Sequence, residues 1–466
     1  MKHVFLLAII IIFSVSVSSF GQDIETEISI IENGLLPAVQ VKGEAVAKYS
    51  LAERMDYYHV PGVSVAIVKD GNIRWAKGYG IANNESETKV DSNTIFQAGS
   101  ISKPIAALAA LMLVEEGLVD LDKDVNEYLT SWKVPENKYT IEGKVTLRLL
   151  LTHSAGMTVH GFPGYKQTES FPDDIKVLNG KGNTDPIRVN IIPGTIMRYS
   201  GGGYTVMERM VEDISGLSFE EYLEKNILHP IGMTNSTFEQ PLPPDWHKNA
   251  SAAYDSEGYL IEGLWHNYPE QAAAGLWTTP SDLARYCLEI QNIVNGKTDG
   301  VLSKTTVESM LSKHLNNWGL GPALKWEADS LIFQHGGKNA GFTNNMMAFV
   351  HRGDAVILMT NADNGGELMN EILRSISAYY DWGVKNQSVI ETIELSEKDL
   401  QRYVGDYQLS GNTATVLINE GVLFASLPGQ PKYELIPTDE HIFSFKTLAN
   451  FKLRFVVKEE GVTAVF

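Results

Sequence analysis

Ser100 and Lys103 lie three apart in a Ser-Ile-Ser-Lys run where a helical pattern opens, and residues at that spacing share one face of a helix. A serine hydroxyl attacks a carbonyl only when a neighbouring base or cation favours its alkoxide. An amine three residues on is such a neighbour. The positive end of the helix dipole disfavours a charged Lys103 and favours negative charge at Ser100. Pro104 falls in the first turn, where its missing N–H costs nothing. The chemistry these types would do is nucleophilic attack by an activated serine hydroxyl. Four residues alone do not fix it, because a capping serine beside a surface lysine has the same spelling.

Two further segments supply context. Arg198-Tyr199-Ser200-Gly201-Gly202-Gly203-Tyr204 follows a Pro193-Gly194 turn, and His335-Gly336-Gly337 ends an apolar strand before Lys338 and the run Asn339-Ala340-Gly341-Phe342. In this combination the chain resembles the penicillin-recognising serine hydrolases, in the branch of class C β-lactamases, D-aminopeptidases, D,D-carboxypeptidases and related esterases. That branch has S-x-x-K, Y-x-N and K-T-G or H-x-G as its three motifs. FQAGSISK, GLVDLDKDVNEYL, TLRLLLTHSAG, PGTIMRYSGGGY, HPIGM and AAAGLWTTPSDLARY are similar to stock phrases of the family in its usual order. The resemblance covers residues 45 to 380.

It implies that Ser100 is the nucleophile, that Lys103 helps to deprotonate it, and that Tyr199 is the general base or proton shuttle to the leaving group. The oxyanion would sit between the backbone N–H groups of Ser100 and Lys338, and one such donor is worth about 2.7–4 kcal/mol. His335, Gly337, Lys338 and Gly201 would line the substrate side, with His335 orienting substrate or adding positive field. A strand-end histidine hydrogen-bonded for structure is the other reading of His335. Position 201 departs from the family pattern, being Gly where Asn usually holds a substrate amide carbonyl. His335 replaces the Lys usual in β-lactamases. Both departures lean towards an esterase or a D-amino-acid peptidase and away from an efficient β-lactamase. A non-catalytic cell-wall-peptide binder on the same fold is the rival from another class. No cofactor is implied; the expected partner is a small-molecule ester, peptide or β-lactam.

The elements that must position these groups follow from patterning. VPGVSVAIVKDGNIRWAKGYGIAN reads as two strands around an Asp70-Gly71 turn. Strands return at LIFQHGG, NMMAFVHR and AVILMTN, and a helix follows through ELMNEILRSISAYYDW. Strands at both ends of a helical middle predict an α+β domain with one antiparallel sheet and a helical subdomain, over residues 22–388. Residues 22 to about 60, with the run VKGEAVAKYSLAERMDYY, read as an amphipathic lead-in helix. Residues 396–466 read as a small all-β domain with hairpins turning at Glu420-Gly421 and Glu460-Gly461. Its LQRYVGDY phrase is similar to the lipocalin-like tail of some family members.

At 466 residues the chain has room for about three structural units. Residues 1–21 have a positive start, an apolar run and small residues, as a cleavable secretory signal does. The run is short for a membrane span of about 20 residues, so the mature protein is expected to be exported, periplasmic or secreted, with no stable membrane span. Cys287 is the only cysteine; it excludes an intrachain disulfide, fits a bacterial envelope protein, and reads as a packing residue. The net charge of -19 argues against nucleic acid and anionic membranes as partners. Asp120, Asp122 and Asp124 lack the Gly and Glu of a calcium loop and read as turn residues. His153 reads as structural, near the cleft floor. With no H-E-x-x-H and no paired cysteines, no metal site is expected.

Overall fold

The computed structural model describes residues 23–409, 412–426, 432–449, 451–458 and 461–465. The expected leader, residues 1–21, lies outside them. The chain divides into two compact units, one of residues 55–369 and one that joins the stretch up to Arg54 with that from Asn370 onward. Among the described residues no helix is long and apolar enough to cross a membrane.

The larger unit is built on a seven-stranded sheet. Its strands are β1 (Gly62–Lys69), β2 (Asn72–Asn83), β3 (Thr88–Lys89), β4 (Ala323–Glu327), β5 (Ser330–Asn339), β6 (Phe342–Phe349) and β7 (Ala355–Thr360), in the order β3-β2-β1-β7-β6-β5-β4. Every pairing is antiparallel. Asp70 and Gly71 both have positive φ in the turn between β1 and β2, as a two-residue hairpin demands. The early strand β1 lies beside the late strand β7, so the two ends of the sequence meet at mid-sheet. All of β7 is buried, which is why Ala-Val-Ile-Leu-Met is an unbroken apolar run and not an alternation.

Three helices matter for the site: α1 (Ser102–Glu115), α2 (Gly201–Ser215) and α3 (Pro280–Val294). Helix α1 is apolar on all sides and buried from Ser102 through Leu111, the pattern of a central helix. Helix α3 packs on the sheet, held there by Gln291 Nε2 donating to the carbonyls of Phe349 and Asp354. Cys287 sits fully buried in it, and burial raises its thiol pKa.

The smaller unit holds a helix at 23–32, the helix Leu51–Tyr57 as far as Arg54, and a parallel pair of short strands, Val39–Val41 with Ser388–Ile390. The single lead-in helix expected from residue 22 to about 60 is therefore divided, into helices at 23–32 and Leu51–Tyr57 with a short strand between them. Gly43 adopts φ of 90° and ends the regular backbone. Ser50 then restarts a helix by exchanging hydrogen bonds with Glu53. The unit also holds the helix Gly365–Tyr380 from Asn370 onward, the helical segment 397–403, and a seven-stranded antiparallel sheet between Gly405 and Val465. Its first and last strands approach each other, so it nearly closes. Tyr403, Tyr407, Leu423, Phe443 and Phe455 fill its core. The expected turn at Glu420-Gly421 is present with positive φ at both residues. The expected turn at Glu460-Gly461 lies in part outside the described residues.

Candidate active site

The segment before α1 is a tight 3-10 turn, Gly99–Ile101, and not the start of the α-helix itself. Gly99 takes φ of 55°, where a side chain is strained. Ser102, not Ser100, opens α1, and its hydroxyl donates to Gly99 O at 2.6 Å and accepts from Leu276 N at 3.0 Å. With the turn pinned this way, Lys103 Nζ reaches Ser100 Oγ at 3.0 Å and Ala273 O at 2.7 Å. Lys103 is 2% exposed. Burial lowers its pKa from 10.5 to about 7, because an ammonium there has lost its water.

The π-helical turn Gln271–Gly275 that supplies Ala273 O also takes Asn339 Nδ2 on Ala274 O, and Leu276 O just after it accepts from Ala98 N. Gln97 accepts the other Asn339 hydrogen bond and reaches His266 O. None of these positioning contacts follows from residue type, since most end on backbone carbonyls. Just before the π-helical turn, Glu270 has both carboxyl oxygens buried with no partner among the described residues, and burial raises its pKa to about 8.

Tyr199 immediately precedes Ser200, the N-cap of α2, whose hydroxyl accepts from Gly203 N. His153 clamps this corner. Its carbonyl accepts from Arg198 N, its Nδ1 accepts from Ser200 N at 3.1 Å, and its ring lies 4.1 Å from that of Tyr199. The His153 backbone is left-handed, φ 55°. Lys103 Nζ stands 5.0 Å from the centre of the Tyr199 ring, and Trp318 meets the ring edge-on at 5.7 Å. The Tyr199 hydroxyl is buried with no protein partner of hydrogen-bond geometry among the described residues. Burial raises its pKa, and the nearby Ser100 hydroxyl opposes the rise only in part.

His335 and Lys338 lie on β5. Pairing of β5 with β4 stops at Gln334, leaving that edge open from His335 onward. Asn339 and Phe342 close a two-residue turn, so Lys338, one step back opposite Thr343, belongs to a non-hydrogen-bonded pair and turns its N–H away from β6. That is the side of the 98–100 segment: a Cβ on Gly99 would stand 2.6 Å from Lys338 N, and one on Gly337 would collide with Ala98 O. Gly337 is thus required for close approach of backbone to backbone. The Lys338 ammonium is tied to Asp363 at 2.8 Å.

His335 is buried, 6.1 Å from the Tyr199 ring and 5.6 Å from Trp318. Its pKa falls to about 3, from burial first and the Lys103 charge second. It is neutral at physiological pH and adds no positive field, contrary to one of the two roles expected for it. The 2.6 Å contact of Nδ1 with Gly336 O places the proton on Nδ1 and leaves Nε2 an acceptor.

The remaining residues keep structural duties. Asp120 accepts from Asp122 N, Asp122 pairs twice with Arg148, and Asp124 caps a short turn by accepting from Asn126 N.

The chain matches the Beta-lactamase family over residues 50–379. A penicillin-binding protein of Bacillus subtilis (strain 168) is 24% identical over 446 residues, covering 88% of this chain and 94% of that protein. Protein flp of Staphylococcus aureus (strain MRSA252) is 27% identical over 236 residues, 48% of this chain and 42% of that one. Of solved structures, the octameric penicillin-binding protein homologue from Pyrococcus abyssi aligns with a TM-score of 0.63 at 24% identity, over 89% of this chain and 96% of that one. The D-amino acid amidase from Ochrobactrum anthropi SV3 aligns with a TM-score of 0.58 at 19% identity, over 71% and 97%. Likeness at these identities speaks to the fold, the α+β β-lactamase/transpeptidase architecture, here with an all-β unit after it. The chain belongs to the Beta-lactamase family, as a serine hydrolase.

Proposed function

We propose that the mature protein is exported and cleaves ester or amide bonds through an acyl-enzyme on Ser100, as an esterase or D-amino-acid peptidase. The amine–hydroxyl pair carries this reading: Lys103 Nζ lies 3.0 Å from Ser100 Oγ, and its pKa of about 7 leaves a large share of it unprotonated at neutral pH. The free amine takes the Ser100 proton as Oγ attacks the carbonyl carbon. The N–H groups of Ser100 and Lys338 receive the oxyanion. As the tetrahedral intermediate collapses, the Tyr199 hydroxyl gives its proton to the leaving group and regains one from Lys103. Water then repeats the sequence on the ester, releasing the acid and restoring the Ser100 hydroxyl. Because burial raises the Tyr199 pKa, Tyr199 serves as a proton conduit and Lys103 as the resting base.

Gly201 and a neutral His335 favour esters or simple amides over β-lactams, since neither offers the polar groups that hold an acylamide and a carboxylate. Likeness to a D-amino acid amidase supports amides of D-amino acids as one substrate class. The signal-like residues 1–21 and the penicillin-binding relative support export. Residues 22–388 form the hydrolase domain in this reading, and 396–466 a lipocalin-like β domain. A fluorophosphonate probe should label the purified protein at Ser100, and Ser100→Ala should abolish both labelling and turnover of p-nitrophenyl butyrate. An unlabelled, inactive protein would leave the binding role instead, and nitrocefin hydrolysed faster than the ester would make it a β-lactamase.

A further inference from the structure

Two of the three glycines that open α2 make room for a strap of chain, residues 158–164. Gly201 N donates to His160 O at 3.0 Å and Gly202 N to Val159 O at 3.1 Å, while the Ser200 hydroxyl donates to Thr158 O at 2.7 Å. A Cβ on Gly202 would stand 2.7 Å from Thr158 O. Val159 is held at φ 61°, a left-handed conformation costly for a β-branched residue and kept only where its surroundings over-determine it. Both ends of the strap are fastened. Thr158 exchanges hydrogen bonds with Arg188, Pro163 O receives His266 Nδ1 at 2.9 Å, and Gly164 O receives Asn183 Nδ2 at 2.8 Å.

The strap delivers two side chains to the catalytic corner. The exposed His160 ring lies 4.9 Å from Tyr199. Half-buried Phe162 stands where a side chain at position 201 would begin: a Cβ on Gly201 would be 2.9 Å from Phe162 Cε2 and 3.2 Å from His160 O. The missing side chain at 201 has therefore not left a hole for substrate. An aromatic ring fills it.

We infer that Phe162, seated against Gly201, is a specificity-determining residue whose ring forms an apolar wall for the acyl group, so that the enzyme takes esters or amides of aromatic or branched apolar acids. This rests on the acyl-enzyme reading of Ser100. An apolar acyl group gains from burial against the ring. An acyl amide presented to the same wall loses its water and finds no hydrogen-bond partner, which disfavours it.

The test compares p-nitrophenyl phenylacetate with p-nitrophenyl acetate, which share a leaving group, on the parent, Phe162→Ala and Phe162→Leu. Ser100 labelling and a thermal melt accompany each assay. The ratio of kcat/KM values should fall about tenfold or more in Phe162→Ala, chiefly through KM, and recover in part in Phe162→Leu. Labelling of Ser100 with an unchanged ratio overturns the inference alone. A parent that does not label brings down the acyl-enzyme reading and this inference with it. As a second arm, Phe162→Ala with Gly201→Asn should turn over nitrocefin faster than Gly201→Asn alone. Equal rates would mean that Phe162 does not close the space, and would also overturn it.

Discussion

Lys103 and Tyr199 both stand beside Ser100, yet the protein holds them in different ways. Around Lys103 the donors are matched: Nζ has Ser100 Oγ and Ala273 O, Ser102 Oγ has Gly99 O, and the Gln97 and Asn339 amide nitrogens each have a carbonyl. The side-chain oxygens of Asn339, Asn344 and Glu270 have no partner there among the described residues, a lesser fault than a stranded donor. Around Tyr199 the buried polar tips are unmatched: its own hydroxyl, His153 Nε2 and His335 Nε2 have no protein partner among the described residues. Such groups cost stability, and here they cluster in contact with one another's rings. The difference teaches that the nucleophile side is built to be rigid before substrate arrives, whereas the tyrosine side keeps hydrogen-bonding capacity that the protein itself does not use. Substrate and leaving group are the natural claimants.

The strongest break of this comparison is Lys103→Met, which keeps length and removes the base. If Lys103 is the resting base, kcat/KM should fall by about 10⁴-fold, the upper end for general base catalysis, with the melting temperature unchanged or higher, because a buried amine has been replaced by a thioether. A fall below about tenfold would move the base elsewhere. Next is Tyr199→Phe, assayed on two leaving groups. An amine leaves only with a proton, so hydrolysis of a D-aminoacyl amide should drop by about 10²–10³-fold. A p-nitrophenolate leaves without one, so the matching ester should lose about tenfold or less. Equal losses on both would show that Tyr199 acts at attack and not at departure.

A pH profile sharpens the same contrast. The Lys103 pKa is lowered to about 7, and the unprotonated amine is the active form, so kcat/KM should rise with pH and level off above about 8. Well below 7 it should fall by about tenfold per unit. His335, with its pKa near 3, should leave no inflection between 5 and 9. A profile flat from 5 to 8 would mean that Lys103 stays charged or is not the base.

What the sequence made legible was local or spelled by residue type. The Asp70-Gly71 hairpin is fixed by its own turn chemistry, and the strands at 62–69, 72–83, 330–339, 342–349 and 355–360 by their β-branched and apolar runs. Ser100, Lys103 and Tyr199 stand out through the resemblance of their motifs to the family's, and the fold brings Lys103 to the Ser100 hydroxyl and the Tyr199 ring. The lead-in helix misled because its apolar spacing continues through Gly43, whose φ of 90° is a backbone fact and not a pattern. The neutrality of His335 was out of reach because it depends on burial by residues far apart in sequence. Ala273 O, the Ser102 pins and the Phe162 ring against Gly201 were equally hidden, being backbone groups or spatial neighbours that no spacing rule connects.

The smallest expected effect tests the rigid side on its own terms. Ser102→Ala removes one hydroxyl that serves Gly99 O and Leu276 N at once. The Leu276 N–H is then buried without an acceptor, at a cost of about 1–3 kcal/mol, which for a unit this large lowers the melting temperature by about 2–4 °C per kcal/mol. Lys103 keeps its contacts to Ser100 Oγ and Ala273 O, so kcat/KM should fall by less than about threefold, since no interaction unique to the transition state is lost. Stability would then move and catalysis would barely do so, the reverse of what Tyr199→Phe should give. A large loss of kcat with an unshifted melt would mean that the 3-10 turn at Gly99–Ile101 is kept in place for catalysis by Ser102 itself, and that the nucleophile side is less settled than its matched donors imply.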